Sequence, residues 1–113
     1  MTEKRSYQRY KIWFPVTLIV GKREIWAICR DASSGGFLLS AESPVEIGSS
    51  VKARFKVSPR SRSERVVTAK VVRQEQSVGE LMLAFPYRAA LEFTKPVPDL
   101  LDELARFSDT IVF

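Results

Sequence analysis

Apolar and polar residues alternate in several short segments of the chain. The segment 50–57 is the clearest case, because every second residue is apolar and the residues between them, Lys52, Arg54 and Lys56, are cationic. Successive side chains of a β-strand point to opposite faces, so this pattern predicts a strand with one face in a core and the other in water. The same period predicts strands over residues 14–20, 23–30, 37–41, 65–73 and 81–93, with an interruption near Pro86 in the last. Gly21-Lys22 predicts a two-residue hairpin turn.

The period changes near the C-terminus. Apolar residues recur at positions 100, 101, 104 and 107, which lie on one face of a helix, and Pro98 falls in the first turn. The pattern predicts a short helix over residues 98–107. A helix of about ten residues is marginal in isolation, so we expect its apolar face to pack on the open end of the sheet structure or on another subunit.

The length and composition favour one folded domain. The chain has 113 residues, of which 45% are apolar and 27% charged, and this composition excludes disorder over most of its length. We therefore expect an all-β domain spanning residues 1–113. We expect it to consist of a flexible, polar N-terminal arm (1–11), a six-stranded antiparallel β-barrel (12–93) and a short C-terminal α-helix (98–107).

The residues that are missing exclude several kinds of chemistry. The chain has no His and only one Cys, Cys29, so neither a zinc cluster nor a His-based nucleophilic triad can be assembled, and we predict neither catalysis nor a bound metal. The longest nearly apolar run, residues 12–20, is far too short for a membrane span. We expect a cytoplasmic protein that does not insert into membranes. The 18 Lys and Arg residues exceed the 13 Asp and Glu residues, which favours an anionic partner.

The N-terminal arm contains two arginines, Arg5 and Arg9, four residues apart and just before the first predicted strand. The planar guanidinium fork donates two parallel hydrogen bonds and suits phosphate oxygens and the O6/N7 edge of guanine. Two arginines at this spacing are also common in a solvated arm, so the segment by itself does not define a site.

A second segment, from Asp31 to Gly36, lies between two predicted strands. Asp, Ser and Gly are typical turn residues, so a plain connecting turn is the simplest interpretation. In a functional interpretation the Asp31 carboxylate faces the donor groups of guanine and the Ser33 hydroxyl adds a bond. Gly36 then lets a flat ligand approach the backbone.

Taken together, the R-x-x-x-R arm and the D-x-S-x-x-G junction of the second and third strands resemble the PilZ domain family, over about residues 5–93. The resemblance implies a PilZ-type six-stranded barrel that binds the bacterial second messenger cyclic di-GMP, with Arg5 and Arg9 on phosphates and guanine edges. It also implies that Asp31, Ser33 and Gly36 hold a base. The chain departs from the family at Ala89-Ala90, where we expect an effect on packing only.

Because the resemblance accounts for nearly the whole chain, we expect its output to come from a partner. We expect an effector protein, still unidentified, to read the ordering of the N-terminal arm around the ligand. Two alternatives remain at this point. One is a basic β-barrel that binds single-stranded nucleic acid by stacking, which leaves both motifs unexplained. The other is a PilZ-like scaffold that docks proteins without binding a nucleotide.

Overall fold

A computed structural model of the protein describes residues 9–61, 64–76 and 84–107 and the backbone of residues 110–112. The described residues form eight strands and one helix. In chain order these are β1 (Arg9–Lys11), β2 (Phe14–Val20), β3 (Arg23–Ala32), β4 (Gly36–Ala41), β5 (Ser50–Phe55), β6 (Arg65–Gln76), β7 (Tyr87–Phe93), α1 (Pro98–Phe107) and β8 (Thr110–Val112).

Six of the strands close into an antiparallel barrel. Each pairs with the next in the order β2, β5, β6, β7, β4, β3, and β3 pairs again with β2. The hairpin between β2 and β3 turns at Gly21, whose φ of 65° is a conformation that glycine adopts without strain. The predicted six-stranded antiparallel barrel with a C-terminal helix is therefore confirmed. The predicted last strand begins later than expected, at Tyr87, just after Pro86, and residues 81–83 lie outside the described residues.

Four phenylalanines form the aromatic centre of the barrel core. The Phe37 ring is the hub, with centroid distances of 4.9 Å to Phe55 and 5.0 Å to Phe93, both in edge-to-face geometry. Phe14 lies 5.4 Å from the same ring. Edge-to-face pairs contribute about 0.5–1.5 kcal/mol each beyond the burial of their area. Since these rings come from four different strands, they hold the walls of the barrel together at one end.

Helix α1 covers that end of the barrel. Leu100 and Leu104 are fully buried and belong to the barrel core, so the helix packs on its own domain rather than requiring another subunit. Arg65, at the start of β6, holds the outer side of the helix with bonds of 2.7 Å to Glu103 and 3.3 Å to Asp99. Partial burial lowers the pKa of Arg65, but the hydrogen bonds and charges of the two carboxylates outweigh this effect and raise it.

The last part of the predicted arm is a strand. Tyr10 of β1 pairs with Ala32 at the end of β3, and the other edge of β1 pairs antiparallel with β8 along its whole length. Residues 9–11 are thus tied to both the barrel and the C-terminal segment, whereas residues 1–8 lie outside the described residues. Within the part of the chain that is described, no helix is long and apolar enough to cross a membrane.

Candidate functional site

A bulge in β3 turns two consecutive polar residues toward the outside of the barrel. The pairing of β3 with β4 shifts register between Cys29 and Asp31, which makes Arg30 the extra residue. Cys29 and Ala32 are buried, while Arg30 and Asp31 are both partly exposed. Without the extra residue the alternation of the strand would direct Asp31 into the core, so the bulge places its carboxylate on the surface.

A second bulge, in β6, has the same effect on the far side of the same wall. The pairing of β6 with β7 shifts between Val71 and Arg73. Val71 is buried, but Val72 and Arg73 are both exposed. The two bulges flank the part of the sheet formed by β3, β4, β7 and β6 in that order.

One row of outward-facing residues crosses these four strands. Asp31 pairs with Leu38, Leu38 with Ala90, and Ala90 with Arg73. Strands in a sheet lie about 4.8 Å apart, so the row is about 14 Å long. It has an acidic residue at one end, a basic residue at the other and small or aliphatic residues between them. This arrangement forms an apolar floor with charged ends.

Arg9 meets Asp31 at the end of this row. Its Nε donates to Oδ1 at 2.9 Å, and its Nη2 lies 2.9 Å from Oδ2. The side chains are only 27% and 16% exposed, respectively. This is the bidentate geometry that guanidinium and carboxylate groups favour. It uses two of the five N–H groups of Arg9, so three remain for other acceptors.

The turn after Asp31 is held by Ser33. Its hydroxyl oxygen accepts hydrogen bonds from the amides of Gly35, at 3.0 Å, and Gly36, at 3.2 Å. Gly36 also has a structural role, because a Cβ at this position would clash with the carbonyl oxygen of Leu91 on the neighbouring strand. The fold therefore uses both residues, and their contact with a ligand stays a prediction.

Two adjoining depressions open above the row, and both include Asp31, Leu38, Ala90 and Arg73 in their walls. The motif depression, of about 340 Å³, is lined in addition by Arg9, Ser33, Gly36 and Glu92, among others. The tryptophan depression, of about 300 Å³, is lined in addition by Lys11, Trp13, Arg30, Glu75 and Arg88, among others. Among the described residues, the walls of the two contain five cationic side chains and three acidic ones, a net excess of two positive charges. The surface is suited to an anionic ligand with flat, partly apolar groups.

The family model of the PilZ domain matches residues 3–109, which is nearly the whole chain. The chain belongs to the PilZ domain family. Its fold is similar to the PilZ domain of YcgR from Escherichia coli, described with c-di-GMP, at a TM-score of 0.68 and 12% identity over 94% of this chain and 89% of that one. It is also similar to the Bacillus subtilis inhibitor of motility MotI/DgrA, at a TM-score of 0.69 and 17% identity over 94% of this chain. The present chain spans half the length of that Bacillus protein. In a comparison with curated proteins, none matches the present chain significantly.

The PilZ fold brings four of the five predicted site residues together. Arg9 and Asp31 are in direct contact, and Ser33 and Gly36 line the same depression. The fifth, Arg5, lies outside the described residues.

Sequence reasoning missed three residues that line both depressions of this PilZ domain: Leu38, Arg73 and Ala90. The expectation that the Ala89-Ala90 departure affects packing only stays a prediction, and the structure places Ala89 in the wall of the tryptophan depression and Ala90 in the walls of both. For the bulge in β3 a weak signal was available in the sequence, since Ile25, Ala27 and Cys29 recur every second residue but the next apolar residue is Ala32. A break of this kind indicates a bulge, and the outward-facing residues at a bulge are candidates for a site.

Proposed function

We propose that this PilZ domain binds cyclic di-GMP in the two depressions, in the cytoplasm of a bacterium. In this proposal it acts as a receptor without catalytic activity of its own. The observation that carries the proposal is the Arg9–Asp31 ion pair beside the Ser33 turn, at the edge of a concave surface with an excess of positive charge.

The ion pair supplies both kinds of group that cyclic di-GMP requires. The three remaining N–H groups of Arg9 are available to phosphate oxygens, and Arg5 is expected to add a second guanidinium. A carboxylate has about four lone-pair positions, and Arg9 occupies two of those on Asp31. The others can accept from the N1–H and N2–H groups of a guanine. The net excess of two positive charges in the two depressions balances the two phosphate charges of the ligand.

The site is also connected to elements that a partner could read. The carbonyl oxygen of Ser34, in the turn that follows Asp31, accepts from the amide of Val97, just before α1, at 2.9 Å. Strand β1, which carries Arg9, pairs with β8, which follows α1. A ligand that orders the arm and this turn would therefore act on the segments at both ends of α1. We infer that the effector protein recognises this side of the domain, including the ordered arm.

The first test is a thermal denaturation series with cyclic di-GMP, GMP, GTP and cyclic AMP at equal concentrations. At one hundred times the dissociation constant, linkage adds about 2.7 kcal/mol to the free energy of unfolding. This corresponds to a rise of several degrees in Tm for a domain of this size. We expect the rise for cyclic di-GMP alone. No rise at millimolar cyclic di-GMP would refute the proposal.

The second test separates recognition of guanine from attraction to any polyanion. Asp31→Ala and Glu24→Ala each remove one negative charge, but Glu24 lies at the other end of β3, outside both depressions, where its carboxylate is 3.7 Å from Arg54. A nonspecific polyanion binder should gain affinity in both variants. A guanine receptor should lose affinity for cyclic di-GMP only in Asp31→Ala, by roughly 2 kcal/mol or more in calorimetry. Asp31→Asn keeps one acceptor and should bind at an intermediate level.

A single-stranded oligonucleotide titrated in parallel, at low and high salt, tests the nucleic-acid alternative. Tight, salt-sensitive binding of the oligonucleotide without selective binding of cyclic di-GMP would favour it. If neither compound binds, both of these alternatives fail and the protein-docking scaffold is the one that remains.

A further inference from the structure

The tryptophan depression contains a side chain that the motif residues do not account for. Trp13 lies between β1 and β2 and is 58% exposed, an unusual position for so large an apolar surface. The guanidinium of Arg30 lies 5.3 Å from the centroid of its ring. Arg30 is the extra residue of the β3 bulge, so the same bulge that exposes Asp31 also places a cation over Trp13.

The second tryptophan of the chain provides a comparison. Trp26 is exposed to a similar extent, 64%, but it pairs with Thr17 on the β2–β3 wall and does not line either depression. Trp13 therefore differs from Trp26 in its surroundings rather than in its exposure. Its ring lies in a concave site that also contains Arg73 and Arg88.

This combination of groups suits a nucleobase attached to a phosphate. An indole ring offers a flat surface on which a base can stack, and a guanidinium stacks on aromatic rings as well. The other arginines of the depression supply charge for a phosphate. The Arg30 guanidinium lies against the Trp13 ring, and more than half of Trp13 remains exposed. The exposed part of the indole ring therefore has room for a base to stack on it.

We propose that Trp13 and Arg30 form a stacking subsite for one guanine of the ligand, while Asp31 in the adjoining motif depression recognises the other. This inference rests on the proposed function. The two depressions share the row from Asp31 to Arg73, so a single dinucleotide can lie along the row and reach both. The subsite would distinguish a dinucleotide from a mononucleotide, which can fill only one depression.

The test compares the two tryptophans by calorimetry with cyclic di-GMP. Trp13→Ala should raise the dissociation constant about 5- to 150-fold, the factor that corresponds to loss of one base–aromatic stack. Trp26→Ala should leave it within about twofold of the parent. Trp13→Phe keeps an aromatic face and should lose less affinity than Trp13→Leu, which fills space without one. The free variants should keep the circular dichroism spectrum of the parent.

Fluorescence gives a readout that a purely structural role would not change. In Trp26→Phe the only indole is Trp13, and we expect cyclic di-GMP to quench its emission. In Trp13→Phe the only indole is Trp26, and its emission should stay unchanged.

The receptor function and the stacking subsite fail differently in these experiments. If the parent binds cyclic di-GMP but Trp13→Ala binds within twofold of it, or if Trp13 emission does not respond, the subsite is wrong and the receptor function stands. If the parent does not bind cyclic di-GMP, the proposed function fails and the subsite fails with it.

Discussion

The Arg9–Asp31 ion pair connects the stability of the free domain with its proposed binding site, and a double-mutant cycle measures its contribution. Exposed ion pairs contribute about 0–1 kcal/mol. This pair is bidentate at 2.9 Å, and its side chains are only 27% and 16% exposed, respectively. A hydrogen bond to a charged group contributes roughly 1.5–3 kcal/mol when it is well covered. Taking the partial exposure into account, we expect a coupling energy of about 1–2 kcal/mol between Arg9 and Asp31 in the ligand-free protein.

The cycle requires urea denaturation of the parent, Arg9→Ala, Asp31→Ala and the double variant, monitored by circular dichroism. The Arg54–Glu24 pair is the control, because it has a single contact at 3.7 Å and side chains that are 33% and 54% exposed, respectively. For that pair we expect a coupling energy below about 0.5 kcal/mol. Sodium chloride at 1 M should reduce both values, since the Debye length is then about 3 Å. Equal coupling for the two pairs would refute the argument from geometry and burial.

Three further predictions concern the fold around the site. Gly36→Ala should destabilise the domain by about 1–3 kcal/mol, because the Cβ of the introduced alanine would clash with the Leu91 carbonyl oxygen. An unchanged Tm would contradict this prediction. Leu104 is a fully buried residue of α1, so Leu104→Ala should lower the free energy of unfolding in urea by about 2–5 kcal/mol. Leu101 is half-buried, and Leu101→Ala should lower it clearly less. Equal losses would mean that α1 does not cover the core as described. Burial raises the pKa of the Cys29 thiol, so the thiol should remain protonated at pH 8. A thiol reagent should then modify Cys29 only as fast as the domain opens. Rapid modification of the native protein would show that Cys29 is accessible.

Much of this fold follows from local patterns in the sequence. The alternation in residues 50–57 predicts β5 and its buried face, because a strand with period two has only one way to place its apolar residues in a core. Helix α1 begins and ends where the apolar spacing and Pro98 predict. The family resemblance assigns Arg9 and Asp31 to one site, and in the structure they are in contact although 22 positions separate them. Only the resemblance connects them, since nothing local in either segment indicates the other, and their contact with a ligand stays a prediction.

Other features depend on how the strands pair. The sequence shows only a break in the alternation of β3, and the shift of register against β4 identifies Arg30 as the extra residue. That shift decides that Asp31 faces the site rather than the core. Ala90 and Arg73 enter the site because β7 lies between β4 and β6, an order that no single strand encodes. Trp13 and Trp26 have similar exposure, so only the shape of the surrounding surface separates them. The sequence by itself determined the six strands of the barrel and the apolar face of each, because those properties are local, but it did not indicate β1 or β8, which depend on pairing with each other and with β3. The tertiary structure decided which outward-facing residues share one concave surface, because that depends on contacts between segments far apart in the chain.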